Sequence, residues 1–201
     1  MKSDKRWLQR QHKDPYVKQA HKLNYRSRAV FKLQEIDRRD RLLKPGQLVV
    51  DLGAAPGSWS QYVAERVCPR GRVVAVDILV MQPIEGVEFI HGDFSDPAIF
   101  EQCLHRLGGQ QADIVISDLA PNLTGVRDTD QARSLDLARL VLEFAGRALS
   151  PRGTLVLKLF QGPDIEQFKQ ELNEQFQRVI VRKPDASRAG SREFYILARR
   201  N

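Results

Sequence analysis

The sequence predicts an α/β protein with a doubly wound, mostly parallel seven-stranded sheet, helices on both faces and an antiparallel last strand. Three observations carry this. From Gln47 onward, seven short apolar runs alternate with helix-length stretches. The first run leads at once into a glycine turn and a helix start, the order that builds a ligand pocket in such sheets. Only about nine residues, Pro184 to Arg192, separate the last two runs, too few for a parallel crossover of a dozen or more.

Residues 1–24 mix basic, amide and aromatic types without firm periodicity, among them Arg6, Trp7, Arg10, Tyr16 and Lys18. They form a basic N-terminal segment ahead of a single domain spanning 25–201. Such a mixture can contact phosphates and stack bases, or its aromatics can pin the segment to the body. A helix follows from Ser27, with Ala29, Val30, Leu33 and Ile36 near a 3.6 period, and Leu43-Lys44-Pro45-Gly46 stops it. The strands are then Leu48–Asp51, Val73–Asp77, Val87–His91, Ile114–Asp118, Thr154–Leu159, Val179–Arg182 and Phe194–Ala198. Several are continuous apolar runs, as strands covered on both faces should be. Helices fill the gaps at Ser58–Val67, Pro97–Leu107, Gln131–Leu149 and Pro163–Gln175, with Pro97 and Pro163 near their starts. Thr124–Thr129 reads as a loop, either a lid or a linker.

Composition narrows the partners. The net charge of +7 is uneven: residues 1–44 hold 14 Lys/Arg against 5 Asp/Glu, and the remainder is slightly acidic. A basic segment on a near-neutral body points to a polyanion engaged from one side, although a solvated tail has the same composition. No apolar run is long enough for a membrane helix, and the start lacks a signal-peptide core, so a cytoplasmic protein is expected. The four histidines and two cysteines show no ligand spacing, and no metal is expected.

The turn reads Asp51-Leu52-Gly53-Ala54-Ala55-Pro56-Gly57-Ser58-Trp59. It lacks the third glycine of a dinucleotide site and the Gly-Lys-Ser/Thr ending of a phosphate loop. Gly53 and Gly57 still permit close backbone approach. Asp77 ends the next strand, where a carboxylate accepts from both ribose hydroxyls of a nucleoside. Asp93 follows the third in His91-Gly92-Asp93-Phe94, where it could meet an adenine amino group. Each aspartate alone would serve as a strand-end cap, but the ordered set suits a cationic nucleoside without phosphates, S-adenosylmethionine. The antiparallel last strand brings Glu193 to the rim that carries Asp51, Asp77, Asp118 and Lys158.

Asp51–Trp59, Ser117-Asp118-Leu119-Ala120-Pro121-Asn122, Leu157-Lys158-Leu159-Phe160-Gln161-Gly162 and Ser191-Arg192-Glu193-Phe194-Tyr195 together resemble the FtsJ/RrmJ family of RNA ribose 2′-O-methyltransferases. Tyr25-Arg26-Ser27-Arg28-Ala29-Val30-Phe31-Lys32-Leu33 matches too, so the resemblance covers essentially the whole chain. It implies a Rossmann-like S-adenosylmethionine-dependent methyltransferase fold. It places a catalytic tetrad on Lys32, Asp118, Lys158 and Glu193, and cofactor contacts on Gly53, Pro56, Gly57, Trp59, Asp77, Asp93 and Asp118. The length is similar to that of bacterial members acting on large-subunit ribosomal RNA, which implies a uridine ribose in 23S RNA, the 50S subunit as partner and a monomeric enzyme. A messenger-RNA cap or transfer-RNA ribose would use the same tetrad. A non-catalytic ribosome-assembly factor would have no need of it.

Lys158 can act in two ways. As a base it needs a depressed pKa, which Lys32 and burial would favour and Asp118 and Glu193 would oppose. As a cation it would orient an oxygen lone pair toward the methyl group.

Overall fold

The computed structural model describes residues 14–121, 124–188 and 190–200. The sequence expectations for Arg6, Trp7 and Arg10 lie outside these residues. The chain runs α1 (Pro15–Lys22), α2 (Val30–Asp40), β1 (Leu48–Leu52), α3 (Ser58–Val67), β2 (Arg72–Asp77), β3 (Val87–His91) and α4 (Pro97–Arg106). It continues through β4 (Ala112–Ser117), α5 (Arg127–Ala148), β5 (Leu149–Phe160), α6 (Ile165–Gln175), β6 (Arg178–Arg182) and β7 (Glu193–Arg199). The seven strands form one sheet in the order β3-β2-β1-β4-β5-β7-β6.

The first five strands run parallel to one another, and β7 runs antiparallel between β5 and β6. The short last connection therefore produces the reversal expected from its length. Period-2 alternation sorts side chains between two cores. Leu155, Leu157 and Leu159 of β5, with Phe194 and Ile196 of β7, face α4, α5 and α6. Val156, Tyr195 and Leu197 face the opposite side, where α1, α2 and α3 pack.

Several boundaries differ from the sequence reading. Pro15–Lys22 is helical, because Asp14 caps it by accepting from Tyr16 N at 3.0 Å and Pro15 occupies the first turn. The helix is only eight residues long, too short for a clear apolar period, yet Ala20 is buried and Tyr16 packs on Phe31 with ring centroids 5.5 Å apart. The second helix starts at Val30 rather than Ser27 and ends on Arg41, which takes a left-handed backbone at φ 51°. Residues 127–129, expected in a loop, belong to the first turn of α5. Asp130 stabilises that entry by accepting from Thr124 N at 2.7 Å, Thr124 Oγ1 at 2.8 Å and Gly125 N at 3.0 Å. β5 begins at Leu149, directly after α5, because pairing with β4 continues across a register shift between Ala112 and Ile114.

Candidate active site

The site grows from the carboxyl edge of β4 and β5 and from the first residues of β7. In the register of β5 and β7, Lys158 stands opposite Tyr195 and Phe160 opposite Glu193. Lys158 shares the face of Val156, and so points to the side covered by α2 and α3. The start of α2 docks there, because Trp59 Nε1 at the head of α3 donates to Ala29 O at 2.7 Å. Lys32, one turn into α2, is thereby carried to the same rim.

Two ion pairs result. Lys158 Nζ lies 3.1 Å from Asp118 Oδ1 and also donates to the Asp118 carbonyl. Lys32 Nζ lies 2.7 Å from Glu193 Oε1. Tyr195 joins them: its hydroxyl donates to Asp118 Oδ1 at 2.8 Å, and Lys32 Nζ sits 5.8 Å from its ring centroid. The Lys158 side chain is only 8% exposed and those of Lys32 and Glu193 13% each, so both pairs are largely removed from water. Burial first, then the charges of Asp118 and Glu193, raise the Tyr195 phenol well above its ordinary value of 10.0. It therefore stays protonated and remains a donor. Tyr195 was absent from the sequence expectations. Its signal was the period-2 step from Glu193, which puts both on one face of β7.

Beside the pairs opens a cleft of about 370 Å³ lined by Gly53, Asp77, Asp93, Asp118 and the Ile78-Leu79 and Leu119–Pro121 segments, among others. Asp77 Oδ2 accepts from Ala55 N and Oδ1 from Leu79 N, each at 2.8 Å, so its carboxylate is fixed at the strand end. Asp93 Oδ1 accepts from Ser95 N at 2.9 Å and from Ser95 Oγ at 2.7 Å. Gly53 has φ +82°, and a Cβ there would stand 2.9 Å from Leu119 Cδ2, so glycine lets the turn close onto the wall of the cleft.

Of the expected cofactor contacts, Gly53, Asp77, Asp93 and Asp118 line this cleft, while Pro56, Gly57 and Trp59 belong to the adjoining glycine turn and the head of α3. Trp59 is buried against Tyr195, with ring centroids 5.7 Å apart. A Cβ on Gly57 would meet Met81 Sδ at 2.5 Å and Arg26 Nη1 at 2.9 Å. Arg26, also missed from the sequence, clamps the region: its guanidinium donates to Pro56 O at 3.2 Å, Gln82 O at 2.6 Å and Pro83 O at 2.8 Å. The loop after β2, which carries the Ile78-Leu79 wall, is thereby tied to the glycine turn.

Asp51 lies fully buried beneath the turn. Its Oδ2 accepts from Ser60 Oγ at 2.6 Å, and its Oδ1 has no hydrogen-bond partner among the described residues. Burial, reinforced by the charges of Asp118 and Asp77 and opposed by Ser60, pushes its pKa up to about 7.

Sheet order, cleft and paired rim define a Rossmann-type methyltransferase, and comparison with known proteins specifies which kind. The family model described as FtsJ-like methyltransferase matches residues 25–201. Among curated relatives, ribosomal RNA large subunit methyltransferase E of Marinobacter nauticus is 52% identical over 198 residues, covering 98% of this chain and 96% of its own. The protein of the same name from Pseudomonas aeruginosa is 50% identical over 198 residues with the same coverages. A solved ribosomal RNA methyltransferase from Plasmodium falciparum superposes with a TM-score of 0.79 at 29% identity, over 87% of this chain and 97% of the other. The chain belongs to the FtsJ-like methyltransferase family.

Proposed function

We propose that this protein transfers a methyl group from S-adenosylmethionine to a ribose 2′-hydroxyl, on a uridine of 23S RNA in the large ribosomal subunit. The observation that carries this reading is the Lys158–Asp118 pair, because Asp118 belongs both to the pair and to the wall of the cleft. Two relatives at 50% identity or more, named as large-subunit ribosomal RNA methyltransferases, support the substrate. The protein would then act as a monomer in the cytoplasm on the 50S particle, with the basic segment 1–24 gripping RNA ahead of the domain 25–201.

The cleft suits the donor. Carboxylates of Asp77, Asp93 and Asp118 line it and Asp51 lies below, a setting that favours a cationic nucleoside over a polyphosphate. Asp77 would accept from the ribose hydroxyls and Asp93 would face the base, while Gly53 leaves the backbone bare for close approach. When bound, S-adenosylmethionine supplies an electrophilic sulfonium methyl group. The chain supplies alignment. Lys158 Nζ commits one donor to the Asp118 carbonyl and faces the Asp118 carboxylate as an ion pair, which leaves a donor for the 2′ oxygen. In this role Lys158 orients a lone pair as a cation, and Asp118 keeps the ammonium on one heading. Lys32, anchored by Glu193, offers a second cation at the rim for the neighbouring phosphate.

The test uses large-subunit particles from cells lacking the protein. Wild-type protein is expected to transfer labelled methyl to a single ribose, and Lys158→Ala to lose at least about a hundredfold in rate while binding S-adenosylmethionine unchanged. Label on a base, or near-normal turnover by Lys158→Ala, would overturn the reading.

A further inference from the structure

The catalytic rim occupies one edge of the sheet, yet a second group of positive charges lies toward the opposite edge. Two concavities meet there around the end of α2. One, of about 200 Å³, is lined by Glu35, Arg38, Arg39, Arg182, Lys183 and Asp185, among others. The other, of about 590 Å³, is lined by Asp40, Arg41, Lys44, Asp113, Arg152 and Arg199, among others. It lies where β1, β4 and the parallel part of β5 begin and where β7 ends, at the far edge from Lys158.

The lining of these hollows carries eight Lys/Arg against four Asp/Glu, and most of the carboxylates are already hydrogen-bonded in place. Asp40 holds Arg182 through two bonds, at 2.7 and 2.6 Å, and its carbonyl accepts from Arg199 at 2.7 Å. The Arg182 guanidinium beside it holds the Asp40 carboxyl below its ordinary value, so it stays ionised. Glu35 accepts from Asp185 N at 2.6 Å and from Ala186 N at 3.0 Å. Asp113 accepts from Leu48 N at 2.9 Å. Asp185 alone keeps an uncommitted carboxylate. Against it, the exposed side chains of Arg38, Arg39, Arg41, Lys44 and Arg152 make no ion pair or hydrogen bond among the described residues. An ordinary solvated surface intersperses its charges. Here five free cations gather in two neighbouring hollows whose acids are held in place by hydrogen bonds.

We infer that these hollows form a phosphate track for substrate RNA, running from the rim along α2 to the far edge of the sheet. Lys32 and Arg41 are nine residues apart in sequence, which is about 13 Å along a helix. That matches about four stacked nucleotides at 3.4 Å each. Arg38 and Arg39 stand beside Arg41 at its far end, so the track has one cation at the rim and a cluster of cations at the opposite edge. Because the hollows present guanidinium and ammonium groups without aromatic platforms, the track reads backbone and not sequence. It fixes the register of a structured RNA while the target ribose sits at Lys158. This inference rests on the proposed function for the nature of the polyanion.

The test compares wild-type protein with the triple variant Arg41→Gln, Lys44→Gln, Arg152→Gln, and with a control, Arg139→Gln, Lys169→Gln, on the α5–α6 face of the sheet. Large-subunit particles are the substrate. The triple variant is expected to raise KM for particles about tenfold with kcat and donor binding unchanged, and to lower the slope of log binding constant against log salt by about 2 to 3. The control pair should change neither. A triple variant with wild-type KM and salt slope would overturn the track, as would an equal loss in the control. If wild-type protein transfers no methyl to particles yet the salt slope for isolated 23S RNA still falls in the triple variant, the track stands and the proposed reaction fails.

Discussion

Tyr195 donates its hydroxyl to the same carboxylate oxygen of Asp118 that faces Lys158. The acid is thus held from two sides, by a neutral donor on β7 and a cation on β5. Tyr195→Phe keeps the ring against Trp59 and removes only the hydroxyl. A hydrogen bond to a charged acceptor contributes about 1.5 to 3 kcal/mol, and part of that is recovered by Lys158. We expect kcat to fall about tenfold in single-turnover methyl transfer, with donor affinity unchanged. An unaltered kcat would show that Lys158 alone suffices to hold Asp118.

The Lys32–Glu193 pair is mostly buried, so removing either partner strands the other charge. Lys32→Met and Glu193→Gln should each lower activity strongly, and the double variant should lose much less than the product of the two. Additive losses in a double-mutant cycle would mean that the residues act separately.

Asp51 should make stability depend on pH. In the unfolded chain its carboxyl ionises near the ordinary value of 3.8, and in the folded protein at about 7. Between these values the folded state holds a proton that the unfolded state has lost, so this group's contribution falls as pH rises from about 4 to about 7 and is level above. Three pH units correspond to about 4 kcal/mol at most. Asp51→Asn should flatten this component while preserving the Ser60 bond. Denaturant midpoints at pH 5 and pH 8 measure it, and equal slopes for both proteins would contradict the assignment.

Arg26 contacts three backbone carbonyls and no carboxylate, so its role is to hold the loop after β2 against the glycine turn. Arg26→Ala should weaken S-adenosylmethionine binding about tenfold by calorimetry and leave RNA binding nearly intact. Arg26→Lys should recover little, since one ammonium cannot span carbonyls of both segments. A loss confined to RNA binding would make Arg26 a phosphate contact instead.

Local signals carried much of this. Alternating apolar runs placed the strands, and the short link from Pro184 to Arg192 forced the last one to reverse. That reversal puts Glu193 at the rim. The helix at Pro15 was hidden because its stability comes from the Asp14 cap and from packing against Phe31, and only the first of these is local. The start of α5 carries no helical signal in the sequence because the Asp130 carboxylate, not apolar periodicity, organises Thr124 and Gly125.

What the chain determined by itself was the sheet, its edge, and which ionisable residues arrive there, because those follow from periodicity, turn chemistry and connection length. Only the tertiary structure decided how they pair. Lys158 with Asp118, Lys32 with Glu193, and Tyr195 between them depend on the docking of α2 and on the β5–β7 register, which no local pattern encodes. The same holds for Arg26 and for Asp51, whose behaviour comes from what surrounds them in space.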